Sequence, residues 1–138
     1  MKKEFITNSA KETYALAMRL GNLINSGCVI AFKGDLGSGK TCFTTGLAKG
    51  LEYYGEANSP TFAIVNEYLG GRLPIYHFDM YRIADEDELY SIGFYDYLDA
   101  DAVLAIEWSE NVESALPENT IRLYFTRLDE NTRQIERM

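Results

Sequence analysis

The sequence predicts an α/β fold: a sheet with helices on both faces, parallel strands at its core and one antiparallel hairpin. Three observations predict it. First, Cys28–Lys33 (CVIAFK) is a short β-rich run, followed by Gly34-Asp35-Leu36-Gly37-Ser38-Gly39-Lys40-Thr41 and then a helical pattern to about Gly50. Strand, glycine loop and helix in that order are the context of the phosphate-binding P-loop, a glycine, four residues, then Gly-Lys-Thr. Second, Ala102–Ile106 (AVLAI) is an unbroken apolar run, as expected of a strand buried on both faces of a parallel sheet. Third, Thr61–Leu69 (TFAIVNEYL) and Leu73–Tyr81 (LPIYHFDMY) are β-rich and flank Gly70-Gly71, a hairpin signal that makes them antiparallel neighbours. Together these give a P-loop NTPase-like three-layer sandwich, with residues 1–138 as one domain.

Taken in order, Ser9-Ala10-Lys11-Glu12 is a capping box. Leu16, Leu20, Leu23 and Ile24 then recur at helical spacing. This predicts a helix from about Ala10 to Asn25, closed by Gly27. The strand, P-loop and helix follow, then a loop through residues 53–60 and the hairpin. Asp85–Ile92 (DEDELYSI) reads as a short helix with acids in its first turn, where the helix dipole favours them. Gly93 breaks it, and Phe94–Leu98 reads as another helical turn. After the buried strand, Ser109–Leu116 is weakly helical and Pro117-Glu118-Asn119 is a turn. Thr120–Thr126 (TIRLYFT) is a clear strand, with room for one more beyond Leu128.

A chain of 138 residues buries about two-thirds of its unfolded surface, enough for a core without staples. Its two cysteines, Cys28 and Cys42, lack Cys-x-x-Cys spacing, so neither a disulfide framework nor a zinc site is expected. Buried free thiols fit a reducing cytoplasm. The start of the chain carries no long apolar run, which predicts neither a signal peptide nor a membrane span. Net charge is −8, and residues 83–121 hold eleven acids and no Lys or Arg. That stretch would repel a phosphate backbone. It serves either as a solvated face or as a docking face for a basic protein partner.

The P-loop chemistry follows from the backbone. Gly34, Gly37 and Gly39 let the chain curl so that its N–H groups converge on the β- and γ-phosphates. The following helix adds unpaired N–H groups and the positive end of its dipole. Lys40 puts a charge on the phosphate oxygens, and the Thr41 hydroxyl is suited to ligate Mg²⁺. Asp35, Leu36, Ser38 and Cys42 complete the run that lines the nucleotide.

Such a site also needs a carboxylate at the end of a neighbouring strand. Glu107, directly after Val103-Leu104-Ala105-Ile106, is the best candidate, because ligands bind at the carboxyl ends of strands in open α/β sheets. Asp79, after Ile75-Tyr76-His77-Phe78, is the second; His77 interrupts that run, so its strand reads as less buried. The plain alternative for either is a strand-end acid that caps or is solvated. His77 is the single histidine and reads as a packed or hydrogen-bonded structural residue. Trp108 reads either as a shield or stacking platform at the site or as a wall of the core. Asn58-Ser59-Pro60-Thr61-Phe62 follows the P-loop helix, where nucleotide switches carry a Ser or Thr that senses the γ-phosphate.

These motifs together resemble the TsaE (YjeE) family of small bacterial P-loop ATPases. The resemblance rests on GDLGSGKT at 34–41, SPTF at 59–62 with Asn66-Glu67-Tyr68, YHFDMYR at 76–82 and IEW at 106–108. Glu86-Asp87-Glu88-Leu89 and Ile92-Gly93-Phe94 also fit. It runs from about residue 9 to about 126. The resemblance implies ATP or ADP with Mg²⁺ as cofactors, Thr41 and Glu107 as metal ligands, and Asp79 as a second catalytic carboxylate beside Lys40. It implies Ser59 and Thr61 in a switch, Trp108 as a site tryptophan and Lys11 near the adenine. It further implies work with a TsaB–TsaD complex in placing threonylcarbamoyl on adenosine 37 of tRNA, with tRNA touched only indirectly. Three positions depart from the family pattern: Cys42 for a common Thr, Thr45 for a frequent basic residue, and Ser109 for the usual Pro.

Other readings fare worse. A small P-loop kinase needs an arginine-bearing lid, yet residues 83–121 hold no Arg, and Arg72 and Arg82 flank a hairpin. A GTPase needs Asn-Lys-x-Asp, which is absent. A nucleotide-binding docking module with little hydrolysis stays open at this stage.

Overall fold

The computed structural model describes residues 3–34, 38–55 and 64–137. Its elements run β1 (Lys3–Thr7), α1 (Ala10–Leu23), β2 (Cys28–Gly34), α2 (Lys40–Gly50), β3 (Val65–Tyr68), β4 (Ile75–Asp79), α3 (Glu86–Ser91), α4 (Phe94–Asp99), β5 (Val103–Glu107), a 3₁₀ helix (Ser109–Ala115), β6 (Ile121–Arg127) and β7 (Arg133–Arg137). All seven strands form one sheet in the order β1-β7-β6-β2-β5-β4-β3. The inner four are parallel: β2 lies between β5 and β6, and β5 pairs with β4. Antiparallel pairs close both edges, β3 on β4 at one end and β7 and β1 beyond β6 at the other. This is the expected mixed sheet with a parallel core.

The core has two layers because the inner strands are apolar on both faces. One cluster holds Ile30, Phe32, Val103 and Ala105 under Phe43, Leu47 and Leu51 of the α2 region. The other holds Phe78, Leu104 and Ile106 over Leu89 of α3 and Phe94 of α4. On the first face, α1 and α2 approach unusually closely. A Cβ on Gly46 would sit 2.4 Å from the Tyr14 carbonyl oxygen, and one on Gly50 would sit 2.2 Å from that of Met18. Arg72, in the β3–β4 connection, ties the two helix ends together. Its guanidinium donates to the carbonyls of Ile24 (2.9 Å), Gly21 (2.8 Å) and Gly50 (3.2 Å) and pairs with Glu52 at 3.2 Å. These carbonyls lie at the C-terminal ends of α1 and α2, where intrahelical pairing runs out; that of Gly21 also accepts from Ile24 N at 3.3 Å.

Local expectations hold at the caps. The Ser9 side chain accepts from Glu12 N at 3.1 Å, and Asp85 does the same for Glu88 N at 3.0 Å. Such caps are each worth about 1 kcal/mol. Other boundaries differ. Helix α1 stops at Leu23 rather than Asn25. Gly27 does not close it: its N–H donates to Asp101 at 2.6 Å, and a Cβ there would press on Ala102 N at 2.7 Å. Strand β1 was not expected, since its residues are exposed up to Ile6 and only Thr7 is buried. The expected strand from Thr61 begins, within the described residues, at Val65. The largest correction concerns β4. It is a return strand of the hairpin but also an inner parallel strand, and His77 on it is 0% exposed.

Candidate functional site

The site forms where β2 gives way to α2. Gly34 ends β2 with φ 146°, and a Cβ there would lie 2.5 Å from the Phe125 carbonyl oxygen, so a side chain has no room. Ser38 is buried, and its hydroxyl finds no hydrogen-bond partner among the described residues. Gly39 caps α2 in the left-handed conformation, φ 104°, with no side-chain cap bond. With glycine as the N-cap, no cap side chain occupies the start of α2, where the positive end of the helix dipole favours an anion. Lys40 donates from Nζ to the Gly34 carbonyl at 2.7 Å, and the same ammonium lies 6.0 Å from the Trp108 ring centre. Thr41 is exposed on the first turn of α2.

The two candidate carboxylates are side by side. Asp79 and Glu107 are register partners at the carboxyl ends of β4 and β5. Glu107 is also the partner of Phe32 on β2, two residues before Gly34. Ile75, Val103 and Ala105 belong to the α2-side cluster, so alternation along the strands turns His77, Asp79 and Glu107 to that side too. Asp79 accepts from Tyr81 N at 3.0 Å. Glu107 is bonded to His77, Oε2 to Nε2 at 2.7 Å. Trp108 follows with φ 58°, a conformation that strains a bulky residue. Its ring is 43% exposed and meets Tyr81 edge-on at 4.9 Å. Of its two expected roles, the core wall is therefore ruled out.

Lys11 lies in the first turn of α1, which adjoins the start of α2 through Cys42 Sγ donating to the Ala10 carbonyl at 3.2 Å. Burial pushes the Cys42 thiol pKa up, against the opposing effects of a backbone hydrogen bond at Tyr14 and the charge of Arg133. Arg133 itself reaches the loop: its Cγ and Nε would lie 3.7 and 3.9 Å from a Cβ on Gly39. Asp35, Leu36, Gly37, Ser59 and Thr61 lie outside the described residues. A buried hydroxyl without a partner among the described residues, a helix start with glycine as its N-cap and a lysine resting on a carbonyl fit a polyphosphate. The adjacent carboxylates fit Mg²⁺, which binds through one or two protein carboxylates and keeps water and phosphate oxygens as its other ligands.

Comparison with known proteins shows the family. The family model described as "Threonylcarbamoyl adenosine biosynthesis protein TsaE" matches residues 7–135. The chain belongs to the TsaE family. It is 39% identical over 129 residues to the tRNA threonylcarbamoyladenosine biosynthesis protein TsaE of Bacillus subtilis, covering 94% of this chain and 80% of that one. It is 38% identical over 130 residues to the Treponema pallidum protein of the same name, covering 94% and 96%. The crystal structure of Bacillus subtilis YdiB superposes with a TM-score of 0.82 at 32% identity, over 99% of this chain and 84% of that one.

For a TsaE-family chain, the three departures have physical outcomes here. Ser109 is fully buried, and its hydroxyl donates to the Phe32 carbonyl at 3.4 Å. It thereby ties the 3₁₀ helix to the strand beside Glu107. Thr45 donates back to the Thr41 carbonyl at 2.9 Å within the helix. Cys42 bridges to α1, as above. Two residues the sequence reading did not assign to the TsaE site are now beside it, Arg133 and His77. For His77 a signal existed, because it lies two residues before Asp79 and so faces the same way. For Arg133 there was none; a hairpin between β6 and β7 brings it in.

Proposed function

We propose that this protein binds ATP with Mg²⁺ and hydrolyses it, in support of threonylcarbamoyl transfer to adenosine 37 of tRNA by a TsaB–TsaD complex. One observation carries the reading: Lys40 and a helix start capped by glycine alone stand beside paired strand-end carboxylates, Asp79 and Glu107. Family membership supports the pathway. In this reading the loop Gly34–Cys42 holds the phosphates through its N–H groups, and Lys40 leaves the Gly34 carbonyl to neutralise them. Thr41 and Glu107 are the metal's protein ligands. Held there, Mg²⁺ would supply charge neutralisation for the phosphates. Asp79 accepts a hydrogen bond from the attacking water. Trp108 and Tyr81 screen the lysine from bulk water, Lys11 flanks the base side, Arg133 lies against the phosphate loop at Gly39, and Ser59 and Thr61 act as the switch.

The charge map supports a division of labour. Residues 83–121 carry −11, which disfavours tRNA and leaves this face to a basic patch on the protein partner. Among the described residues no helix is long and apolar enough to cross a membrane, and the setting proposed is cytoplasmic. The test is ATP turnover by the chain alone and with TsaB–TsaD, in wild type and Lys40→Ala. Turnover is expected to rise with the partners and to vanish in the variant. No rise, together with tRNA modification that proceeds unchanged with Lys40→Ala, would remove the proposal.

A further inference from the structure

His77 is the single histidine of the chain and is fully buried. Its Nε2 is 2.7 Å from Glu107 Oε2, and its Nδ1 is 3.1 Å from the Tyr68 hydroxyl. An ionised carboxylate only accepts, so Nε2 carries a proton toward Glu107; in the neutral imidazole the Tyr68 O–H then donates to Nδ1. Tyr68, His77 and Glu107 come from β3, β4 and β5, so the three side chains form a hydrogen-bonded line across the sheet toward the phosphate end. Tyr68 is itself fixed, 3% exposed and stacked on Tyr53 at 5.2 Å. The surroundings of the imidazole, Ile75, Val103 and Ala105, are apolar and buried. Packing alone would be met there by Leu or Phe. Glu107, by contrast, gains from it: its side chain is 14% exposed, and among the described residues His77 is its one bonded partner.

We infer that His77 is a positioning residue: oriented by Tyr68, it occupies one oxygen of Glu107 and so aims the other at the metal and phosphate side of the cleft. A glutamate has three side-chain torsions to fix, and a site carboxylate must be held within about half an ångström of its working position. Groups that hold a ligand from behind are typically worth ten- to a hundredfold in metal affinity or activity. The inference rests on the ATPase reading for its consequence. The contact itself can be tested without nucleotide.

Three variants separate positioning from packing. His77→Leu removes the donor, His77→Gln restores an N–H donor near the Nε2 position, and Tyr68→Phe removes one hydroxyl while keeping the ring. For each, kcat and KM for ATP, ADP affinity by calorimetry with and without Mg²⁺, and thermal stability are measured. With one histidine present, the imidazole ¹⁵N spectrum of the nucleotide-free protein is unambiguous. His77→Leu is expected to lower kcat ten- to a hundredfold and to shrink the Mg²⁺ enhancement of ADP affinity, leaving Mg²⁺-free ADP affinity within about twofold. His77→Gln should recover most of both, and Tyr68→Phe should show a smaller loss of the same kind. The spectrum should show the proton on Nε2, and Glu107→Gln should shift that resonance. Unchanged kcat and Mg²⁺ enhancement in His77→Leu, equal losses in the Leu and Gln variants, or an Nε2 that carries no proton would each overturn the inference. Should His77→Leu fail to fold, Tyr68→Phe decides: no change in its kcat or Mg²⁺ enhancement counts against positioning. A wild-type protein that bound no nucleotide would instead overturn the ATPase reading, with the spectrum still deciding the His77–Glu107 contact.

Discussion

Replacing Lys40 by Ala gives the most direct measure of the phosphate site, and the structure sets its size. A charged donor freely exposed to solvent and transferred to a phosphate oxygen would be worth about 1.5–3 kcal/mol. Lys40 is not free. Its Nζ donates to the Gly34 carbonyl at 2.7 Å on the exposed side of the loop, a bond worth about 1 kcal/mol that nucleotide binding must break. The net loss in Lys40→Ala is therefore about 0.5–2 kcal/mol, a two- to roughly thirtyfold rise in Kd for ATP. Calorimetry with ATP and ADP in excess Mg²⁺ measures it, and a denaturation curve checks that the fold is intact. Because the lost bond is exposed, stability should fall by less than about 1 kcal/mol. Unchanged affinity would mean that Lys40 does not reach the phosphates. A loss well beyond a hundredfold would mean that the Gly34 bond does not compete with them.

Glu107→Ala should reduce ATP turnover by about two to three orders of magnitude while costing less ADP affinity than Lys40→Ala; equal affinity losses in the two variants would contradict the assigned roles. Arg72→Ala should destabilise the fold by about 2–3 kcal/mol, since it leaves three helix-end carbonyls without their charged donor. That loss should appear as a lower urea midpoint at constant m-value, with nucleotide affinity changed less than about threefold. Asp129 accepts from the backbone N–H groups of Asn131 and Thr132 at the β6–β7 turn, which lowers its carboxyl pKa below the usual range. A lowered folded-state pKa gives stability that is present above the unfolded value, about pH 3.9, and lost as pH falls through the folded value. Asp129→Ala should thus be less stable than wild type at pH 7, with the gap narrowing below about pH 4 in paired urea melts.

What could be read in advance was local. The P-loop was legible because its chemistry is main-chain geometry: Gly34 and Gly39 adopt φ values of 146° and 104° that favour glycine. Strand β5 was legible because a strand covered on both faces must be apolar at every position, and Val103–Ile106 are all buried. His77 reads correctly as a packed or hydrogen-bonded residue, but its place in the run makes the strand look less buried, since burying an imidazole needs partners. Those partners are 9 and 30 residues away, and no window of sequence contains both. Strand β1 escaped for the opposite reason, because an edge strand exposed on most positions has no apolar alternation to detect. The glycines of α2 count against a helix by propensity, yet Gly46 and Gly50 are there because the backbone of α1 passes within touching distance.

The amino-acid order alone determined the helix starts, the phosphate loop and the burial of β5, because caps, glycine torsions and burial patterns act over a few neighbouring residues. Only the tertiary structure decided that β4 joins the parallel core, that Asp79 and Glu107 stand in register, and that His77 and Tyr68 back the glutamate. Each of these joins strands far apart along the chain. Their pairing is chosen by how whole faces of the sheet bury together, an outcome that no single segment carries.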